Sequence, residues 1–303
     1  MMNKNRLWKF RKPGFRNFRK KKSLGQNFLI NPHVIDKIIA VAEIGQNDIV
    51  IEVGPGLGNL TQRLADKAKE VIAVEKDSRL IPILKKEFKY CHKIRIIEED
   101  VLRLKLPEAR LLEDILHKFR YKIVANIPYY ITSSFIRTVF EKWPRPELIV
   151  LTIQKEVAQR IMAKPPHMNL LALSVQYYSE PEIVGYISRN NFRPVPKVDS
   201  AIIKLTSRIL GAISEVEPQR FPRSQTSGIS PRSLASGKLE PFSLIRIGFS
   251  EKRKQLAGVL SKKLKISKNE IGEALKKIGV PPNARAENLS LDQWILLRDT
   301  LAI

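Results

Sequence analysis

The stretch Glu52-Val53-Gly54-Pro55-Gly56-Leu57-Gly58-Asn59 closes an apolar run, residues 48–53, and opens a helical one. An apolar run that ends in glycines and passes into helical periodicity reads as a buried strand turning tightly into a helix. Glycine allows the turn and lets a ligand approach the main chain with no Cβ in the way. A dinucleotide fingerprint needs glycine or alanine where Asn59 stands, so the spacing is GxGxG and a pyrophosphate cradle is disfavoured. A glycine turn after a strand is also a common structural feature, and the loop alone leaves both readings open.

Outward from this loop the same pattern repeats. Residues 70–75, 94–97, 122–125 and 148–153 are short apolar runs separated by helical stretches. Their apolar continuity predicts strands buried on both faces, and the alternation predicts an α/β fold with a doubly wound parallel sheet. Upstream, Asn31 and Pro32 start a helix whose apolar face is Val34, Ile35, Ile38, Ile39 and Ala42. After Ser174, residues 183–187 and 201–205 are strand candidates with no clear helix between them, which predicts an antiparallel addition at the sheet edge. Residues 207–241, rich in Ser, Pro, Gly and Arg, read as a flexible insertion or linker. From residue 242 to 303 the chain reads as a small all-helical domain, with Leu256, Val259, Leu260, Leu264, Ile271, Leu275 and Ile278 as apolar faces. The expected organisation is a basic arm 1–22, a main domain 23–206, the insertion 207–241 and the helical domain 242–303.

A chain of 303 residues with 43% hydrophobic content can bury a sizeable core. Its 54 Lys and Arg against 30 Asp and Glu give a formal charge of +24, a field that attracts polyanions, so nucleic acid is the leading partner and an anionic membrane the rival. No apolar run approaches the roughly 18 residues a spanning helix needs, and no secretory signal opens the chain. One cysteine, Cys91, and four scattered histidines exclude an internal disulfide and a zinc ligand set, which points to a reducing compartment and no metal. Residues 1–22 carry Lys4, Arg6, Lys9, Arg11 and Lys12 through Lys20, Lys21 and Lys22 with no acid, interleaved with Trp8, Phe10, Phe15 and Phe18. Cations alternating with stacking rings suit an RNA backbone and unpaired bases; a solvated tail and an organellar transit peptide are the other readings, the latter weakened by scarce Ser. Arg246, Lys252 to Lys254, Lys262, Lys263, Lys265 and Lys268 form a second basic surface or solubilising charge on helix exteriors.

The strand ends carry the candidate chemistry. Glu75 lies about 20 residues past the glycines, where an acid accepts from both ribose hydroxyls and repels a phosphate there. Asp100 follows the third strand, placed to accept from an adenine amino group. Each acid alone is most simply a solvated strand end; three features on successive strands read together as an adenosine site without a phosphate cradle. The fourth strand ends in Ala125-Asn126-Ile127-Pro128-Tyr129-Tyr130. A planar aromatic amine is a poor nucleophile because its lone pair is delocalised, so a catalyst must hold it with acceptors. The Asn126 side-chain carbonyl and the Ile127 main-chain carbonyl are two, Pro128 fixes the turn, and Tyr129 supplies a face for an extruded base. The plain alternative is a proline turn with core tyrosines.

Gln26-Asn27-Phe28-Leu29, the Glu52–Gly58 loop, Asn126 to Tyr130, and Asn191-Phe192-Arg193-Pro194-Val195-Pro196-Lys197-Val198-Asp199-Ser200, in that order, resemble the ribosomal RNA adenine N6,N6-dimethyltransferases, the KsgA-like family. The resemblance covers roughly residues 20–206 and resumes from about Phe249 to the C-terminus, including Arg285-Ala286-Glu287-Asn288-Leu289-Ser290. It implies a Rossmann-like class I methyltransferase sheet, mostly parallel with an antiparallel edge strand, followed by the small helical domain. It further implies that Asn27, Leu29, Gly54, Glu75, Asp100 and Asn126 contact S-adenosyl-L-methionine, that Asn126 and Ile127 position the target amine, and that Tyr129 and Phe192 sandwich the flipped adenine. The implied reaction is dimethylation of two adjacent adenines near the 3′ end of small-subunit (16S) ribosomal RNA within the immature subunit. A cytoplasmic monomer needing no protein partner and no membrane is expected. The arm before Lys20 and the stretch 207–241 exceed the family pattern and bear on how RNA docks.

Three other readings compete with this one. The erythromycin-resistance type acts on large-subunit rRNA with the same site, and the Arg285–Ser290 match favours the small-subunit type. A noncatalytic nucleic-acid-binding factor of this fold is disfavoured by intact Glu75, Asn126 and Tyr129. A DNA adenine methyltransferase would carry two prolines after the Asp or Asn, where Ile127 stands first here.

Overall fold

The computed structural model describes residues 25–104, 121–208, 239–251 and 253–303. The expected arm lies wholly outside these residues, and so does the expected insertion except for its first and last few residues. The elements are β1 (Phe28–Leu29), α1 (Pro32–Val41), β2 (Ile49–Val53), α2 (Asn59–Lys67), β3 (Glu70–Glu75), α3 (Ile81–Glu87), β4 (Ile94–Glu98) and β5 (Tyr121–Asn126). Then come α4 (Thr132–Lys142), β6 (Leu148–Gln154), α5 (Lys155–Ile161), α6 (Leu170–Tyr178), β7 (Ser179–Ile187), β8 (Phe192–Arg193) and β9 (Ser200–Ser207). The last helices are α7 (Pro241–Gly248), α8 (Leu256–Leu264), α9 (Lys268–Lys277) and α10 (Leu291–Thr300).

Every residue of β2 is buried, as are the first five of β5. That is the signature of strands covered on both faces. The seven-stranded mixed sheet has the order β4-β3-β2-β5-β6-β9-β7, and β2 pairs in parallel with both β3 and β5. From β2 the chain winds outward through β3 and β4, then returns to place β5 on the other side of β2. The loops leaving β2 and β5 therefore part from each other, and such a switch point opens a crevice at the carboxyl ends of the strands. The register brings Val53 beside Val74 and Glu75 beside Glu98, so Gly54, Glu75 and Asp100 emerge at one rim. A separate two-stranded ladder pairs β1 antiparallel to β8, with Leu29 opposite Phe192.

Contacts divide the chain into two compact units, Met1–Phe135 with Pro146–Ile153 and Tyr186–Ile202, and Ile136–Arg145 with Gln154–Gly185 and Ile203–Ile303. In the first, α1 begins as its sequence demands: the Asn31 side chain accepts from the His33 N–H at 2.9 Å, and Pro32 occupies the first turn. In the second, Leu173, Phe242, Leu256, Leu260, Leu275 and Trp294 share one buried core. Each fully buried apolar side chain there contributes about 1.5–3 kcal/mol. Met168, Ala172 and Leu173 belong to that core, so the helical part draws in chain from well before the expected boundary at residue 242.

Candidate active site

The crevice at the switch point is a cleft of about 760 Å3, open solvent included, lined among others by Asn27, Gly54, Glu75, Asp100, Asn126 and Tyr129. With Ile127, which also lines it, seven separately expected site residues thus meet in one place, contributed by the segment before α1 and by the ends of four strands. Gly54 adopts φ +69°, and nothing lies within 4 Å of where its Cβ would stand. A side chain there would project into the space a ligand needs, whereas glycine leaves main chain as the cleft floor.

Glu75 is held rigidly. Its Oε1 accepts from the Asp77 N–H at 2.8 Å and its Oε2 from the Gly56 N–H at 3.2 Å. Burial pushes its carboxyl above the ordinary range, and these main-chain donors pull it partly back. Asp100 accepts from the Leu102 N–H at 3.0 Å and from Lys76 Nζ at 2.8 Å. Its burial acts upward, but the Lys76 ammonium and the Leu102 donor outweigh it and hold the carboxyl below its usual value. Carboxylate acceptors and an open glycine fit a nucleoside bearing hydroxyls and an amino group.

Asn126, at the end of β5, donates from Nδ2 to the Asn27 carbonyl at 2.9 Å. That bond engages its donor end, and Asn126 is among the residues that line the cleft. Tyr129 stands in the single 3-10 turn Tyr129–Ile131, with its hydroxyl 2.6 Å from Ser200 Oγ. Ser200 is fully buried, so it anchors the ring from behind. Ile127 is buried and lines the cleft.

Two expected residues stand elsewhere. Phe192 has no exposed surface and Leu29 is 6% exposed; they face each other across the β1–β8 ladder, and neither lines the cleft. Phe192, expected to face Tyr129 across the target adenine, is fully buried in this structure, while Tyr129 lines the cleft. Leu29 instead offers its main-chain carbonyl to Asn59 Nδ2 at 3.0 Å.

Sequence reasoning missed the contacts that hold the cleft together. Gln26 Nε2 donates to Asp77 at 2.9 Å, and Asp77, paired with Arg79, is held down to about 2 by that guanidinium. Asn31 donates to Asn191 at 2.7 Å, tying the start of α1 to the turn before β8. Glu52, second to last in β2, is 1% exposed, with Oε2 unpartnered among the described residues. Burial, with the Glu75 charge adding to it, pushes Glu52 up to about 8. An acid inside an apolar run was the available signal for it.

The parallel sheet, the glycine turn and the acids on the next two strands define a Rossmann-like methyltransferase of the S-adenosylmethionine-dependent class. Residues 17–220 match the family model described as ribosomal RNA adenine dimethylase. A ribosomal RNA small subunit methyltransferase A of Dehalococcoides mccartyi is 42% identical over 277 residues, 90% of this chain and 86% of that protein. The protein of the same name from Lachnoclostridium phytofermentans is 38% identical, covering 92% and 91%. Among solved structures, the 23S rRNA methyltransferase ErmE superposes with a TM-score of 0.67 at 27% identity, covering 91% of this chain and 99% of that one. A dimethyladenosine transferase from Plasmodium falciparum does so with a TM-score of 0.67 at 28% identity, covering 89% and 95%. The chain belongs to the ribosomal RNA adenine dimethylase family.

Proposed function

We propose that the chain transfers methyl groups from S-adenosyl-L-methionine to the N6 amines of two adjacent adenines near the 3′ end of small-subunit ribosomal RNA, within the immature subunit. The observation that carries this reading is Asn126, which lines the cleft beside Gly54, Glu75 and Asp100 with its amide nitrogen held by the Asn27 carbonyl. Bound there, the cofactor supplies an electrophilic sulfonium methyl group. Glu75 accepts from ribose hydroxyls, Asp100 from the adenine amino group, and the Gly54 main chain gives the floor. Asn126 Oδ1 and the Ile127 carbonyl accept the two N–H bonds of the target amine, which draws its nitrogen toward tetrahedral geometry and aims the lone pair. The proton released on N-methylation passes to water, so no strong base is required. Tyr129, pinned by Ser200, offers its face to the extruded base.

Two relatives named as small subunit methyltransferases favour the small-subunit target, whereas the ErmE likeness keeps the large subunit as the alternative. The +24 charge and the absence, among the described residues, of a helix long and apolar enough to cross a membrane agree with an RNA substrate met in the cytoplasm. The test is to incubate the protein with labelled cofactor and immature small subunits, large subunits or DNA, then identify the labelled nucleoside. Label in N6,N6-dimethyladenosine from small subunits is expected. Label from large subunits or DNA alone overturns the assignment.

A further inference from the structure

Tyr130 follows the ring assigned to the target base, yet the two side chains part company. In a 3-10 turn successive residues are rotated by about a third of a circle. Tyr129 turns toward buried Ser200, while Tyr130 turns outward and stays 57% exposed at the cleft rim. The ring is backed rather than loose: its Cδ1 lies 3.1 Å from where a Cβ of Gly25 would stand, with Pro128 beside it. An exposed aromatic side chain costs hydration and contributes little to a core, and none of the reacting groups needs it. Beside it stands one cation, Lys76, held by Asp100 at 2.8 Å. Exposed Lys76 lies near enough to Tyr130 and to exposed Arg103 to feel both electrostatically, and all three belong to the same compact unit. A flat, backed aromatic face in a positively charged groove is how proteins hold unpaired nucleotides, because the base stacks on the ring.

We propose that Tyr130 is a stacking platform for the nucleotide that flanks the target adenine. The proposal rests on the RNA-methylating reading above. Extruding one base unstacks its neighbour, and a second ring one residue from the first catches that neighbour, holding the strand in register while the target occupies the cleft.

The test compares wild type, Tyr130→Phe, Tyr130→Leu and Tyr130→Ala on immature small subunits, with saturating labelled cofactor. Cofactor affinity is measured in parallel by calorimetry. Loss of one base–aromatic stack predicts a rise in KM for the subunit of about tenfold in the Leu and Ala variants, with kcat and cofactor affinity within about twofold of wild type. Tyr130→Phe keeps the face and is expected to match wild type. Tyr130→Leu preserves apolar packing on Gly25, so a folding defect confined to the Ala variant is separated from the loss of stacking. Unchanged KM in the Leu variant, a fall in kcat with KM unchanged, or a Phe variant as impaired as the Ala variant each overturns the platform. If wild type leaves small subunits unmethylated, the underlying RNA reading fails, and that result is distinguishable because no variant is needed to see it.

Discussion

At the residue scale, two side chains test the site from opposite directions. In the proposed reaction Asn126 would hold the target amine, so Asn126→Ala is expected to lower the rate of methyl transfer by about 10²–10³-fold, the usual effect of deleting one preorganised polar contact to the reacting group. Cofactor and RNA binding should stay largely in place, checked by single-turnover transfer beside equilibrium binding; full activity would remove Asn126 from the chemistry. Glu52 tests burial. Its carboxyl is raised from 4.5 to about 8 on folding, so between those values the folded state binds a proton that the unfolded chain lacks. Stability from this group is complete below about 4.5 and declines as pH rises through about 8. Glu52→Gln removes the titration while keeping the shape. It should flatten the stability profile over that window and stabilise the protein at high pH by on the order of a few kcal/mol, read from denaturant unfolding at several pH values. A wild-type profile with no decline toward pH 8 would refute the buried, protonated acid.

At the element scale, the segment before α1 closes one side of the cleft through contacts far apart in sequence: Gln26 with Asp77, Asn27 with Asn126, and Asn31 with Asn191. Asn31 has two tasks, capping α1 and joining Asn191. Asn31→Ala is therefore expected to cost more than a cap alone, about 1–2 kcal/mol. The control is Ser267→Ala, since Ser267 caps α9 by accepting from the Glu270 N–H at 3.1 Å. Urea unfolding of both variants decides it: equal costs would mean the Asn31–Asn191 bond adds nothing. The same scale explains Phe192. A two-residue strand paired with Leu29 buries its ring completely, and that pairing cannot be seen from the motif containing Phe192 alone.

At the scale of the whole molecule, charge governs the encounter with RNA. Deleting residues 1–19 removes Lys4, Arg6, Lys9, Arg11, Lys12, Arg16 and Arg19. If these meet phosphates, RNA affinity falls and the slope of log affinity against log salt becomes shallower by roughly 0.7–0.9 for each phosphate that is no longer neutralised. An unchanged slope would reduce the arm to a passive tail. The α/β alternation, the seven strands of the large sheet to within a few residues, and the cleft groups Gly54, Glu75, Asp100 and Asn126 are legible in the amino-acid order alone, whereas the short pair β1 and β8 is not. The cleft groups are legible because a parallel sheet puts the end of every strand on the same rim, so a local pattern of apolar run, turn and polar residue already states where a side chain will be. Tertiary packing alone puts Leu29 opposite Phe192, sets Ser200 against the Tyr129 hydroxyl, pairs Lys76 with Asp100, and brings Met168, Ala172 and Leu173 into the helical core. Each of those joins residues distant in the chain, and which partner a side chain meets depends on packing that no local periodicity encodes.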